Sequence, residues 1–147
     1  MEIKKLNKSN LKQLTFLEQQ LFLSPFSENM CNEELCAENR LYLGLFNNDE
    51  LIAYAGAIIT FDSADIIKVG VLKAEQGNGY GKLVFLELIK QLKNCGVTEV
   101  LLEVEHQNFK AINLYIGAGF KEISERKNYY GVNSHAKIFR LELNSEN

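Results

Sequence analysis

Residues 76–81 read Gln-Gly-Asn-Gly-Tyr-Gly, with an apolar run at 66–72 before them and a helical apolar stripe, Phe85, Leu88, Ile89 and Leu92, after them. Glycines at 77, 79 and 81 let the backbone turn through conformations that other residues avoid. The chain therefore passes from strand to helix through a tight, open loop. That position has a chemical use. The first amides of a helix lack intrahelical acceptors, and the aligned peptide dipoles make that end positive. A glycine-lined approach to it can cradle a diphosphate. A plain turn that only opens a helix is the competing reading at this point.

Three phosphate-binding patterns compete for the loop. A Walker loop requires Gly, four residues, then Gly-Lys-Ser/Thr. Here Gly81-Lys82 is followed by Leu83, and Gln76 stands where the first glycine belongs. The dinucleotide fingerprint needs a glycine at the position of Lys82 and belongs in a βαβ unit. The third pattern, Gln/Arg-x-x-Gly-x-Gly/Ala, is met by Gln76, Gly79 and Gly81.

The rest of the chain sets the frame. A short strand is expected at 1–6, and Asn7 to Ser9 offer caps for a helix striped by Leu11, Leu14, Leu17 and Leu21. Ser24-Pro25-Phe26-Ser27 breaks it, and Ser27 can cap a second helix to about Glu38. Strands are expected at 41–46, 51–60 and 66–72, the first two joined by a turn at Asn47-Asn48-Asp49-Glu50. After the glycine loop comes a helix stopped by Gly96, a strand at 100–105, and a helix from Asn108 to about Ala118 closed by Gly119. Strands at 120–126 and 137–143 complete the order β-α-α-β-β-β-α-β-α-β-β. The expected architecture is α+β, a mixed, mostly antiparallel sheet of about seven strands flanked by about four helices, in one domain over residues 1–147.

Two polar residues stand out against this apolar frame. Glu103 is an acid on the otherwise apolar run Leu101-Leu102-Glu103-Val104. Tyr115 shares one helical face with Ala111, Leu114 and Ala118, so its ring is expected to point into the body of the protein. A core tyrosine is the simple alternative, but a buried phenol still wants a partner for its hydroxyl. Glu105 and His106 are rivals to Glu103. His135 is expected in a surface turn, Asp62, Asp65 and Lys68 in solvent, and Glu33, Glu34 and Glu38 on a solvated helix face.

Composition excludes several classes. The net charge of −3 lacks the basic excess of a nucleic-acid binder. The three cysteines, Cys31, Cys36 and Cys95, have no metal-like spacing and fit reduced thiols. No metal is expected. The amino terminus does not read as a signal peptide, and the longest apolar stretch, 51–61, is too short to span a bilayer. A cytoplasmic protein with no membrane contact is expected, as monomer or homodimer.

Taken together, Ser24-Pro25-Phe26-Ser27, Val69-Gly70-Val71, the glycine loop, Leu102-Glu103-Val104, the Asn108-x-x-Ala111-x-x-x-Tyr115-x-x-x-Gly119-Phe120 stretch and Arg126-Lys127-Asn128-Tyr129-Tyr130 resemble the GNAT N-acetyltransferases. Within that superfamily they are most similar to the ribosomal-protein-alanine type. The resemblance implies the GNAT acyl-CoA N-acyltransferase fold and acetyl-CoA as cosubstrate. It implies that Glu103 acts as general base through water and Tyr115 as general acid toward the departing thiolate. Val69, Gly70 and Val71 would pair with the pantetheine arm. Gln76, Gly77, Asn78, Gly79, Tyr80, Gly81 and Lys82 would bind the diphosphate, and Asn108 would hold the carrier near its reactive end. Phe26, Tyr129 and Tyr130 would wall the acceptor groove. The implied acceptor is the N-terminal α-amine of a protein, with a small-molecule amine, or a CoA-binding regulator without catalysis, as alternatives. Proton affinities suit the first. An α-amine titrates near 7.7–8.0, whereas a lysine amine near 10.4 would cost roughly 4 kcal/mol more to deprotonate near neutral pH. The chain departs from the family pattern at Phe26, Lys73, Gly77 and Ser134-His135-Ala136. Lys73 or Lys82 can supply the cation missing at Gly77.

Overall fold

The computed structural model describes residues 1–143. Its elements follow the expected order: β1 (Glu2–Lys5), α1 (Leu11–Leu21), α2 (Glu28–Cys36), β2 (Arg40–Asn47), β3 (Glu50–Thr60), β4 (Ser63–Val71), α3 (Tyr80–Asn94), β5 (Glu99–Glu105), α4 (Phe109–Gly117), β6 (Lys121–Gly131) and β7 (Ser134–Glu142). The strands form one seven-stranded sheet in the order β1-β2-β3-β4-β5-β7-β6. All neighbours are antiparallel except β4 and β5.

Local chemistry fixes the helix ends. Ser27 Oγ accepts the Met30 amide at 3.2 Å and opens α2. Asn108 Oδ1 accepts the Ala111 amide at 3.3 Å and opens α4. Helices α3 and α4 both end in Schellman turns. Gly96 (φ +91°) and Gly119 (φ +99°) take the left-handed position there. The Val97 amide reaches back to the Leu92 carbonyl, and the Phe120 amide to that of Tyr115.

Helices sit on both faces of the sheet. Against α3 and α4 lies a core built from Leu43, Leu45, Ile52, Val84, Phe85, Leu88, Leu92, Leu102 and Phe139. Against α1 and α2 lies a smaller one with Leu14, Leu17, Cys31, Tyr42, Phe46 and Tyr54.

The sheet is split in the middle. Strands β4 and β5 run parallel and pair only from Ser63–Glu99 to Asp65–Leu101. Beyond that they part. A β-bulge displaces β4 from β3 between the Ala57–Ile66 and Gly56–Lys68 pairs. Bulges bend the strand that carries them, and this one directs the rest of β4 away from β5.

The last hairpin differs from expectation. β6 runs on to Gly131 and β7 starts at Ser134, so His135 lies in a strand rather than a surface turn. Asn128 and Asn133 take positive φ, 54° and 61°, and bend the hairpin without ending it.

Candidate active site

The glycine loop forms an open turn into α3. Gly77 and Gly79 have φ of +87° and +80°, and a Cβ on either would meet nothing within 4 Å, so the ground above them is open. Gly79 is the N-cap of α3 and offers no side chain to it. The amides of residues 77–82 have no acceptor among the described residues; the first amide bonded is that of Leu83, to the Gly79 carbonyl at 3.0 Å. Gly81 is glycine for a different reason. A Cβ there would lie 3.2 Å from Val71 Cγ2, so α3 packs closely on β4. Gln76 Nε2 donates to the Val71 carbonyl at 3.0 Å and Asn78 Nδ2 to that of Glu75 at 3.0 Å. These two side chains brace the loop. The loop thus fits a diphosphate through main-chain donors.

Next to this loop, β4 has an edge that no strand pairs with among the described residues, although its Val71 carbonyl is taken by Gln76. The Leu72 amide bonds the Ile52 carbonyl of β3 at 2.8 Å. By antiparallel alternation Gly70 also faces β3, and Val69 and Val71 turn their backbone groups to the split. A Cβ on Gly70 would lie 2.9 Å from Tyr54 and 3.0 Å from Leu21, so packing against α1 requires glycine there.

Glu103 and Tyr115 lie on opposite faces of the sheet. Tyr115, 9 % exposed, belongs to the α3 and α4 core and packs on Phe85 with ring centroids 5.3 Å apart. Its hydroxyl makes no hydrogen bond among the described residues. Burial raises its pKa, so the phenol stays protonated at physiological pH.

On the other face, Glu103 lines a cleft of about 460 Å³ together with Ile66, Ile67, Arg126, Tyr130 and Ile138. Arg126 Nη1 lies 3.6 Å from Glu103 Oε1. The Tyr130 pKa is raised, chiefly by burial and then by the charge of Glu103. Tyr129 and Tyr130 are half-exposed and meet edge to face, with centroids 5.1 Å apart. The rival bases are occupied. Glu105 Oε2 accepts the Gln107 amide at 2.7 Å, and Oε1 lies 2.6 Å from His106 Nδ1. His106 Nδ1 in turn accepts the His135 amide at 3.0 Å. His135 Nδ1 accepts the Asn128 amide at 2.8 Å and so holds the bend beside the two tyrosines.

Two groups expected in solvent are not there. Glu34 accepts from Arg40 Nε at 3.1 Å and from the Tyr42 hydroxyl at 2.7 Å, and is half-buried. Lys68 is half-buried too: its Nζ lies 2.6 Å from Glu18 Oε1 and 3.6 Å from the centroid of the Phe26 ring. Glu18 itself is 1 % exposed. Sequence reasoning passed over it because it sits in the apolar stripe of α1. The only sequence signal was a lone acid among leucines.

A sheet parted between two parallel strands, with bare helix amides beside the gap, defines the acyl-CoA N-acyltransferase class. Residues 8–120 match the acetyltransferase (GNAT) family, and the chain belongs to it. A ribosomal protein bS18-alanine N-acetyltransferase of Haemophilus influenzae is 36 % identical over 128 residues, 87 % of this chain and 86 % of its own. The crystal structure of the ribosomal-protein-S18-alanine N-acetyltransferase from Escherichia coli superposes with a TM-score of 0.89 at 30 % identity, over 99 % of this chain and 97 % of that one. An aminoglycoside 6'-N-acetyltransferase from Enterococcus faecium has the same fold, with a TM-score of 0.85, 16 % identity and 97 % of each chain covered. The chain is therefore an N-acetyltransferase whose fold alone leaves the acceptor open.

Proposed function

We propose that this enzyme transfers the acetyl group of acetyl-CoA to the N-terminal α-amine of a protein, of the kind named in its bS18-alanine relatives. The chemistry is supported by Glu103 in the cleft where β4 and β5 part, by Tyr115 buried in the core on the other face of the sheet, and by the amides of residues 77–82, which have no acceptor among the described residues. The identity of 36 % to a bS18-alanine enzyme supports the acceptor.

When bound, the carrier supplies an acetyl group activated as a thioester. The amides of residues 77–82 hold its diphosphate, with the positive end of α3 adding to the attraction. The outward backbone groups of Val69 and Val71 pair with its amide-bearing arm as an added strand would. Asn108, whose Oδ1 is engaged by α4, keeps its Nδ2 for the arm.

Glu103 takes the proton of the attacking amine through water, in a cleft open enough to admit one. Arg126 keeps that carboxylate facing the groove. The buried, protonated Tyr115 gives its proton to the departing sulfur. Burial raises the phenol, and the same burial would raise the thiol of a carrier bound beside it, which would keep the proton transfer near balance. Phe26, Tyr129 and Tyr130 form the walls along the acceptor. Direct attack suits this layout, since Cys31 is on the buried face of α2, and Cys36 and Cys95 lie at helix ends.

The test is acetyl transfer to a panel of N-terminal peptides, polyamines and aminoglycosides, read by mass spectrometry. An alanine-initiated peptide is expected to react at least about ten times faster than any small amine. Faster reaction of a small amine would overturn the acceptor assignment and leave the acetyltransferase chemistry standing.

A further inference from the structure

One charged cluster is left unused by this chemistry. The Glu18 carboxylate lies inside the α1 and α2 core with every contact made. Oε1 accepts from Lys68 Nζ at 2.6 Å and from the Phe26 main-chain amide at 2.9 Å. Oε2 accepts the Tyr54 hydroxyl. The Lys68 ammonium lies over two rings of the α1–α2 connection, 3.6 Å from the centroid of Phe26 and 4.5 Å from that of Phe22. A carboxylate this dry needs a cation, and an ammonium with aromatic faces around it needs the rings to stay put.

The arrangement joins three separate parts of the chain. Glu18 belongs to α1, Phe26 to the connection after it, and Lys68 to the bulged part of β4. Ile67, next to Lys68, lines the cleft that holds Glu103 and packs on the same apolar cluster as Phe22 and Phe26. The cluster therefore fixes one wall of the groove to the strand that borders it.

We propose that Lys68, through Glu18 and the Phe26 amide, is a positioning residue that holds the α1–α2 connection as a preformed wall for the acceptor. It touches neither reacting atom. Its effect falls on acceptor affinity, because an unfastened connection must be ordered each time an acceptor binds. Carrier binding lies on the other face and is untouched. The inference rests on the acceptor groove assigned above.

Removing Lys68 alone would strand a buried carboxylate and threatens folding. The decisive variant is therefore the neutral pair E18Q/K68M. K68R serves as the conservative rescue. Y42F is the reference, since it loosens the same face at Glu34 without touching the connection. Steady-state constants are measured with an alanine-initiated peptide and with a polyamine, and amide exchange of residues 22–27 is read by mass spectrometry. In E18Q/K68M the acceptor KM is expected to rise about tenfold or more. The acetyl-CoA KM and the kcat at saturating acceptor should stay within about threefold, and exchange of 22–27 should quicken. K68R should restore the acceptor KM, and Y42F should leave it unchanged. An unchanged acceptor KM in the folded double variant would overturn the proposal. So would an equal rise in Y42F or a parallel loss of carrier affinity. If the wild type turns over the polyamine and not the peptide, the acceptor assignment falls, and the same ratios are read with the polyamine.

Discussion

The two faces of the sheet solve different problems with different materials. The α3 and α4 face is apolar throughout its buried core, and the one polar intruder there, Tyr115, has a hydroxyl without a partner among the described residues. It presents main-chain groups, at the loop and along β4. The α1 and α2 face buries ion pairs and tyrosine hydroxyls, Glu18 with Lys68 and Tyr54, and Glu34 with Arg40 and Tyr42. It presents polar and charged side chains. Main-chain recognition suits a ligand that stays the same from turnover to turnover, since backbone geometry depends little on side-chain identity. Side-chain recognition suits a partner that distinguishes one enzyme of this fold from another.

The contrast can be broken at four places, the strongest first. Tyr115→Phe removes the one phenol that is fully part of the buried α3 and α4 core among the described residues. Turnover should fall about 1,000-fold, or about 4 kcal/mol at about 1.36 kcal/mol per decade, with acetyl-CoA affinity unchanged by calorimetry. Because burial raises the phenol, it loses its proton only as pH climbs past its ordinary value near 10, so no fall in kcat from this group is expected below about pH 10. Glu18→Ala strands Lys68 on the polar face. Stability should drop by about 3 kcal/mol, the lower end for a broken buried pair because Lys68 is only half-buried. Thermal unfolding should then shift down by about 10 °C. Glu103→Gln keeps shape and Arg126 but loses the base, and kcat should fall about 100-fold in stopped assays with a peptide acceptor. Gly79→Ala forces a side chain into φ +80° at about 1–2 kcal/mol. The acetyl-CoA KM should rise about tenfold while the acceptor KM holds.

The same contrast explains what could be read in advance. The α3 and α4 face was legible because its backbone dictates residue type. Positive φ at Gly77, Gly79, Gly96 and Gly119 calls for glycine, and each stood at the expected helix end. The α1 and α2 face was not, because its key partners are local only in three dimensions. Lys68 lies 50 residues from Glu18, and nothing in either neighbourhood points to the other. Glu34 misled for the same reason, its partners Arg40 and Tyr42 lying beyond the helix. β6 was cut short because it is an edge strand exposed along its whole length, so it shows no alternation of apolar and polar residues. Without the continuation of β6, His135 had no strand to pair with and read as a turn.

A crystal structure of the enzyme with CoA tests the central claim most directly. The expected result has the diphosphate oxygens within hydrogen-bond distance of the amides of residues 77–82. The sulfur should enter the split between β4 and β5 beside the Tyr115 hydroxyl, with Glu103 on the far side. A diphosphate bound away from the start of α3, or a sulfur out of reach of Tyr115, would contradict it.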